Sequence, residues 1–411
     1  MYPIGMTGAP RRNEGGETVH RFQDLMKWLP HIKELGCTAI YIGPLFESTS
    51  HGYDTKDYRM VDRRLGDNRD FKGFVEKAHE MNIRIVVDGV FNHTGREFFA
   101  FQDIQKNREQ SQYCGWYKGI NFGWNSPYND GFGYEAWRNC FELVNLNLRE
   151  PKVREYLLDV IGFWIHEFDI DGIRLDCADC LEFSFMEEMR RFTNEKKADF
   201  WLMGEVIHGD YSRYVKPEML NSVTNYELHK GLYSGHNDHN YFEIAHTIRR
   251  EFDENGGIYK GLRLYSFVDN HDVDRIASKL NVPEHIFTVY MLLFTLPGIP
   301  SIYYGSEWGI EGKRSRTSYL SCWPLTVSGF LCRICYVSRD QKFQCEFLLL
   351  RCKFFFHLST VPFYSLNQII TSAVFFCNMG FNLCLSQQSN HPPVIFFPIC
   401  SRCHVLSFSA I

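Results

Sequence analysis

Four short segments of the chain end in acidic or imidazole side chains, which are types suited to acid–base and nucleophilic chemistry. Each segment follows a short apolar run, and parallel strands that are buried on both faces give such unbroken runs. Polar residues at the carboxyl ends of these strands lie at the mouth of the sheet, so carboxylates from different strands are expected to converge on one pocket. The segments are Asp88-Gly-Val-Phe-Asn-His93, Gly172-Ile-Arg-Leu-Asp176, Gly204-Glu205 and Phe267-Val-Asp-Asn-His271-Asp272.

A structural role for these acids is the simpler alternative. Asp and Glu commonly end strands as turn formers and helix N-caps, so a single strand-end acid is more often a cap than a catalyst. Four such acids are harder to explain in this way. Two of them also follow a cationic or imidazole side chain, Arg174 or His271, which can hold a carboxylate ionised and oriented. The pattern therefore favours a functional site.

Apolar strand-like runs alternate with helix-period segments up to about residue 310. Pro151 fits the first position of a helix that runs to about Phe168. Strands that alternate with helices predict parallel βαβ units, and eight repeats predict closure into an α/β fold of the (β/α)8 TIM barrel type. The eight predicted strands begin with Tyr2-Pro-Ile and continue at 39–42, 83–88, 172–176, 200–205, 222–226, 264–269 and 301–304.

The four acidic segments, in this order and on these strands, resemble the α-amylase superfamily of retaining α-glycoside hydrolases. The resemblance covers about residues 1–317 and implies that they form a catalytic (β/α)8 barrel. The closest motifs are those of the neopullulanase, cyclomaltodextrinase and maltodextrin glucosidase branch. Further matching segments are His51-Gly-Tyr53-Asp-Thr-Lys-Asp-Tyr58, Leu143-Val-Asn-Leu-Asn147 and Gly204-Glu205-Val-Ile-His208.

The resemblance implies hydrolysis of α-glucosidic bonds in maltodextrins or related α-glucans. Retention at the anomeric carbon needs a carboxylate nucleophile and a carboxylic acid near the leaving oxygen. By resemblance, Asp176 is the nucleophile, Glu205 is the general acid/base, and Asp272 is a third acid that binds sugar hydroxyls. Arg174 is expected to pair with the nucleophile and keep it ionised.

Substrate-binding roles are carried over from the same motifs. Tyr53 is expected to stack under the ring that is cleaved, and His93 and His271 to hydrogen-bond its hydroxyls. His208 is expected to line the leaving-group side. An oligosaccharide or α-glucan is therefore the expected partner.

No cofactor is expected to be required, although calcium is left open. In many amylases the Asn at the position of Asn92 ligates a structural calcium, but the sequence offers no convincing set of oxygen donors around it. Cysteine pairs at 177/180, 332/335 and 400/403 raise the question of zinc. The two later pairs are much too far apart for a zinc ribbon. Cys177 and Cys180 are interpreted as small packing residues, and no metal ligand is assigned.

Composition excludes several classes of partner. The net charge is −5 and the basic stretches are short, so neither nucleic acid nor an anionic membrane is expected as a partner. The first residues do not combine a basic region with an apolar core, so no secretory signal is predicted and a cytoplasmic location is expected. The sequence does not predict an oligomeric state.

Two regions break the alternation of strands and helices. Residues 94–147 are rich in Gly, Asn and aromatic residues, and they predict a small domain inserted after the third strand at the barrel mouth. Their rings could stack on sugars or form the local core. Residues 318–411 carry very little charge and nine of the fourteen cysteines, so we interpret them as an anomalous tail that is not a folded domain. The last barrel helix and the C-terminal β-domain of the family are expected to be missing.

Three alternatives to simple hydrolysis remain. Related enzymes perform transglycosylation or isomerisation with the same three acids. Some relatives are non-catalytic transporter subunits, although these generally lose the acids. The third alternative is an unstable truncated member of the superfamily.

Overall fold

A computed structural model of the protein describes residues 1–313. The strands are β1 (Ala39–Ile42), β2 (Phe46–Ser48), β3 (Thr55–Val61), β4 (Arg84–Gly89), β5 (His93–Gly95), β6 (Leu143–Asn145), β7 (Gly172–Leu175), β8 (Trp201–Gly204), β9 (Ser222–Val223), β10 (Tyr265–Ser266) and β11 (Ile299–Pro300). The α-helices are α1 (Pro3–Met6), α2 (Phe22–Met26), α3 (Leu29–Glu34), α4 (Asn68–Glu80), α5 (Phe99–Asn107), α6 (Pro151–Phe168), α7 (Phe183–Lys196), α8 (Tyr226–Asn237), α9 (Tyr241–Phe252), α10 (Ile276–Lys279) and α11 (His285–Thr295).

A parallel sheet forms the centre of the described residues. Its strands follow one another in the order β1-β4-β7-β8-β9, and all four pairings are parallel. A parallel bridge between Thr224 and Tyr265 continues this order to β10, which pairs in parallel with β11. Helices α4, α6 and α7 connect the first four strands, as βαβ units require. Seven neighbouring strands therefore place their carboxyl ends on one side.

The first predicted strand differs in the structure. Pro3–Met6 forms a short helix, for which proline at the first position is well suited because its missing N–H would have no helical partner. Of the residues in this N-terminal segment, Met1 alone lies alongside β1, where it forms backbone hydrogen bonds with Tyr41 and Gly43. The last predicted strand is also shifted. Its pairing begins at Ile299 and continues through a Ser301 N–H that donates to the Ser266 carbonyl.

The hairpin formed by β2 and β3 is fixed against the long helix α6. The indole of Trp164 stacks on Phe46 with ring centroids 4.3 Å apart, and its Nε1 donates to the backbone carbonyl of Tyr58 at 2.7 Å. Both contacts are buried. Because Tyr53 lies in the loop between these two strands, the packing of Trp164 holds that loop over the carboxyl ends of the sheet.

The segment at 94–147 is joined at its two ends by the antiparallel pair β5 and β6. Six of its thirteen aromatic side chains are buried and most of the thirteen contact one another, including Phe101, which packs edge-on against Tyr134. Trp124 and Tyr128 are exposed. These rings therefore form mostly local core, as one of the two interpretations expected.

None of the helices within residues 1–313 has the length and apolar character needed to cross a bilayer. The interpretation of residues 318–411 as an unfolded tail lies outside the described residues.

Candidate active site

The three predicted acids line one cleft at the carboxyl ends of the strands. Asp176 directly follows β7, Glu205 directly follows β8, and Asp272 lies in the turn after β10. The cleft has a volume of about 280 Å³ and is also lined by Tyr53 and His93. A larger groove of about 1250 Å³ between α6 and α7 contains none of the predicted site residues. The structure therefore brings the separated motifs together at the smaller cavity.

Arg174 connects the carboxylates beneath this cleft. Its Nη1 lies 2.9 Å from Oδ1 of Asp176, and its Nη2 lies 2.9 Å from Oε2 of Glu205. The guanidinium is buried, so both ion pairs lie in a medium that screens them weakly. The expected partner of Asp176 is therefore present, and the same cation also contacts Glu205.

Asp88 holds Arg174 from the neighbouring strand. Its Oδ1 accepts from Nη1 of Arg174 at 2.9 Å, and its Oδ2 accepts from the hydroxyls of Tyr41 at 2.7 Å and Tyr53 at 3.1 Å. Gly43 leaves room for this carboxylate, because a Cβ at that position would lie only 2.4 Å from the Asp88 Cβ. Asp88 therefore braces the site and does not line the cleft.

Glu205 is oriented by groups outside the predicted set. Its Oε2 accepts the backbone N–H of Cys177 at 3.1 Å, and its Oε1 lies 3.4 Å from the hydroxyl of Tyr226. Cys177 has a φ of +36°, a left-handed conformation that is costly for a residue with a side chain. That conformation turns the Cys177 N–H toward Glu205, while the Cys177 thiol donates to Oδ2 of Asp176 at 3.2 Å.

His271 connects the third acid with Tyr53. Its Nε2 lies 3.1 Å from Oδ2 of Asp272 and also forms a short hydrogen bond with the hydroxyl of Tyr53. The Tyr53 and His271 rings are stacked with centroids 5.7 Å apart. Asp272 is the most exposed of the three acids, with 34% of its side-chain surface accessible. It is therefore the acid that a ligand in the cleft can reach most easily.

The two remaining histidines lie in different places. His93 is 1% exposed and lines the cleft next to Trp137, with ring centroids 5.9 Å apart. His208 is exposed, and the cleft is lined at that point by Ile207. The structure thus brings seven of the eight predicted site residues together around the cavity and leaves His208 at the surface.

Burial shifts the pKa values of these groups. Burial, opposed by Arg174 and reinforced by Glu205 and Asp88, raises the pKa of Asp176 to about 7. Burial also raises the pKa of Glu205; Arg174 opposes this shift and Asp272 adds to it. At His271 burial disfavours the charged ring, but the Asp272 carboxylate outweighs this effect and raises the pKa. Both central carboxyls therefore hold a proton more tightly than an ordinary carboxyl, and they titrate as a pair.

The surroundings of Asn92 do not suit calcium. Its amide nitrogen donates to Oδ1 of Asn145 and to Nδ1 of His93, both at 3.3 Å. Calcium needs six to eight oxygen ligands. Of the two side chains that Asn92 contacts here, Asn145 offers an oxygen and His93 offers a nitrogen. We therefore assign no calcium ligands there.

Three contributors were missed by the sequence analysis: Tyr41, Tyr226 and Cys177. Tyr41 lies inside a predicted strand and Tyr226 ends another, and strand periodicity gives no sign of their contacts with carboxylates. The Cys-x-x-Cys spacing did draw attention to Cys177, but its contacts depend on the left-handed turn after β7.

Comparisons with known proteins agree with this geometry. The family model described as alpha amylase, catalytic domain, matches residues 13–324. The chain is 32% identical over 299 residues to a cyclomaltodextrinase from Thermoanaerobacter pseudethanolicus, covering 71% of this chain and 51% of that protein. It is 30% identical over 324 residues to an intracellular maltogenic amylase from Bacillus subtilis, covering 78% and 52%. The chain therefore spans about half the length of the curated relatives it matches.

A solved cyclomaltodextrinase structure superimposes with a TM-score of 0.73 at 27% identity, and the match covers 85% of this chain and 61% of that one. These matches give the fold as a (β/α)8 TIM barrel, and they confirm the resemblance to the cyclomaltodextrinase branch. The chain belongs to the alpha-amylase catalytic domain family.

Proposed function

We propose that the protein hydrolyses α-glucosidic bonds in maltodextrins or related α-glucans by a retaining double displacement. The main support is the fork of Arg174, which holds the carboxylates of Asp176 and Glu205 from two neighbouring strand ends. Retaining glycosidases keep their two carboxyl groups about 5–5.5 Å apart, a separation that one guanidinium can span. The names of the cyclomaltodextrinase and maltogenic amylase relatives support the substrate class.

In the first step, Asp176 attacks the anomeric carbon while Glu205 donates a proton to the leaving oxygen. This step forms a covalent glycosyl-enzyme and releases the first product. In the second step, Glu205 takes a proton from water, which displaces Asp176 and restores the starting anomeric configuration. The thiol of Cys177 and the Arg174 cation both stabilise an ionised Asp176, which the attack requires.

The remaining side chains bind the sugar in this proposal. Asp272 and His271 hydrogen-bond hydroxyls of the ring that is cleaved, and their contact at 3.1 Å keeps them oriented toward the same ligand. Tyr53 stacks under that ring, and its hydroxyl is fixed by Asp88. His93 binds a further hydroxyl from the wall of the cleft. We assign His208 to the leaving-group side, which its exposed position leaves accessible to a longer chain.

We also propose that residues 94–147 act as a small domain at the barrel mouth. The β5–β6 pair joins its ends beside His93, and Trp137 from this segment lines the cleft. A cytoplasmic location is proposed because a matched relative is named as an intracellular enzyme. No cofactor is part of the proposed reaction.

The test is turnover by the full chain on maltotriose, pullulan and cyclodextrin, with the anomeric form of the fresh product followed by proton NMR. We expect release of α-configured sugar. Asp176→Asn should abolish turnover while sugar binding persists, because only the nucleophile is lost. A fluorinated glucosyl fluoride that slows the second step should label the peptide that contains Asp176, as mass spectrometry would detect. A cooperatively folded preparation that turns over none of these substrates contradicts the proposal.

A further inference from the structure

A second use of the cleft is indicated by three potential metal ligands on its wall. A ring nitrogen of His93, a carboxylate oxygen of Asp176 and the sulfur of Cys177 all lie within 4.8 Å of one another. All three residues are buried and all three line the cleft, so an ion can reach them from solvent. We propose that this triad binds a zinc-like divalent cation, and that the bound ion blocks hydrolysis.

The orphaned nitrogen of His93 is independent support for a ligand at this place. Within residues 1–313, its Nε2 is buried and lacks a hydrogen bond of normal geometry. A buried polar atom in this condition is costly, and a metal would satisfy it. The side-chain amide of Asn92 contacts the other ring nitrogen at 3.3 Å. Coordination through Nε2 needs the tautomer protonated at Nδ1, so in the metal-bound form the Asn92 amide turns and its oxygen accepts that proton.

The distances and ligand types suit zinc. The Cys177 sulfur is 3.2 Å from Oδ2 of Asp176, close to the separation of about 3.5 Å between two ligands of a tetrahedral zinc. Sulfur, nitrogen and oxygen together favour zinc-like ions, whereas calcium and magnesium prefer oxygen alone. Three protein ligands would leave a fourth position for water, as in open zinc sites.

The charges around the triad also favour a cation. Asp176, Glu205 and Asp272 line the same cleft, and the buried guanidinium of Arg174 is the cation that directly contacts the first two. Coordination replaces the Cys177 S–H bond with a sulfur–metal bond, so each ion that binds at the thiolate releases one proton to solvent.

Inhibition follows from the identity of the ligands and rests on the proposed function. An ion held by Asp176 occupies the carboxylate that must attack the sugar, and it also removes His93 from substrate binding. Zinc should therefore compete with substrate. Binding itself can be measured without turnover, so the two proposals can fail separately.

The test begins with cobalt(II), which reports thiolate ligation through its charge-transfer absorption. The full chain is treated with a chelator, kept reduced with a phosphine and titrated with cobalt. The sulfur-to-cobalt band should be stronger in the unmodified protein than in Cys177→Ser. Because the other thirteen cysteines are present in both proteins, the difference band between the two spectra reports ligation by Cys177. Cys177→Ala is the second variant, and a thermal melt identifies any variant that fails to fold.

Cys180→Ser is the matched control. Cys180 hydrogen-bonds the Cys177 thiol but is not one of the three clustered ligands, so its loss should leave the difference band intact. In the assay, Cys177→Ser should raise the zinc inhibition constant at least about tenfold, since even outer-shell partners of metal ligands have effects of this size. No difference band between unmodified protein and Cys177→Ser overturns the site. Equal loss of the band in Cys180→Ser also overturns it, because the ion would then sit between the two cysteines.

Discussion

Asp88 and Arg174 form an ion pair that is almost completely withdrawn from solvent. The two charged atoms are 2.9 Å apart, and the side chains are 0% and 4% exposed, respectively. The residues are also directly opposite one another in the register of β4 and β7. Because Arg174 reaches Asp176 and Glu205 with the same guanidinium, Asp88 fixes the cation that organises the central carboxylates.

Removal of Asp88 is the first prediction. Asp88→Ala leaves Arg174 buried with one fewer counter-charge and takes away the acceptor of two tyrosine hydroxyls. Loss of one member of a buried pair typically lowers the free energy of unfolding by about 3–5 kcal/mol. Urea denaturation of the full chain, followed by circular dichroism, measures this difference.

An exposed pair provides the control for that experiment. Asp159 pairs with Arg59 but is 74% exposed on its side chain. Asp159→Ala should change the free energy of unfolding by about 1 kcal/mol or less, as surface ion pairs do. Equal losses in the two variants would show that burial does not determine the contribution of Asp88.

The pH dependence of hydrolysis is the second prediction. The pKa of Asp176 is raised to about 7 and that of Glu205 is also raised, mainly because both carboxyls are buried. Glu205 must carry a proton to donate it, so its raised pKa should place the alkaline limb of kcat/KM at higher pH than an ordinary carboxyl would give. Asp272→Asn removes a negative charge that raises the pKa of Glu205. The alkaline limb should therefore move to lower pH in residual-activity profiles, and infrared carboxyl bands should show the same shift.

Asp179→Asn is the control for the electrostatic effect. Asp179 lines the same cleft but is exposed, so solvent and salt screen its charge. We expect the alkaline limb of the kcat/KM profile of Asp179→Asn to match that of the unmodified protein. If the alkaline limb of Asp272→Asn stays at the same pH or moves to higher pH, the assigned interaction between Asp272 and Glu205 is contradicted.

The carboxylate cluster could be predicted from the sequence for a specific physical reason. Asp176 and Glu205 directly follow apolar runs, and parallel strands deliver their last residues to a common edge. Their common contact with Arg174 then follows from the register of β7, where Arg174 lies two residues before Asp176 on the same face.

Other features depend on local backbone geometry, which strand periodicity does not specify. His208 is three residues beyond Glu205, where the chain has already left the sheet, and its side chain lies at the surface. The contact of the Cys177 N–H with Glu205 requires a left-handed residue, although non-glycine residues rarely adopt that conformation. Tyr226 begins α8, and its hydroxyl reaches Glu205 only because of the way that helix is placed.

Glu251 gives the third prediction, which concerns stability outside the cleft. Burial raises the pKa of Glu251 to about 7, although Asn225 donates a hydrogen bond to its Oε2 at 2.8 Å. A raised pKa in the folded state means that the folded protein holds this proton more tightly than the unfolded chain. The associated stability is present below about pH 4.5 and is lost as pH rises toward and through 7.

Glu251→Gln should remove this dependence, because the amide is neutral at every pH and can still accept from Asn225. Near pH 5 the variant and the unmodified protein should differ little. At pH 8 the variant should be more stable by about 1–3 kcal/mol, since each pKa unit corresponds to about 1.4 kcal/mol. Thermal and urea unfolding across this range measure the effect. Glu254→Gln, at an exposed position, should leave the curve unchanged, and a parallel shift in both variants would assign the effect to net charge.

Gly43 gives the fourth prediction, which concerns the space beside Asp88. A Cβ at this position would lie 2.4 Å from the Asp88 Cβ and 2.9 Å from its Oδ2. Either the backbone that follows β1 or the Asp88 side chain on β4 must therefore move. Gly43→Ala should lower the free energy of unfolding by about 1–3 kcal/mol, as overpacking does. It should also lower kcat, because displacement of Asp88 shifts Arg174 and the carboxylates that it holds.

Gly73→Ala separates this steric effect from the general effect of replacing glycine. Gly73 lies inside α4, where an added Cβ would make ordinary contact with Met26 at 3.6 Å. The substitution should raise the free energy of unfolding by about 0.5–1 kcal/mol, because alanine is the better helix former. Melting curves and kcat of the two variants should therefore change in different ways: Gly43→Ala loses both stability and turnover, whereas Gly73→Ala gains stability and keeps its turnover. A Gly43→Ala variant with unchanged kcat would mean that Arg174 tolerates movement of Asp88.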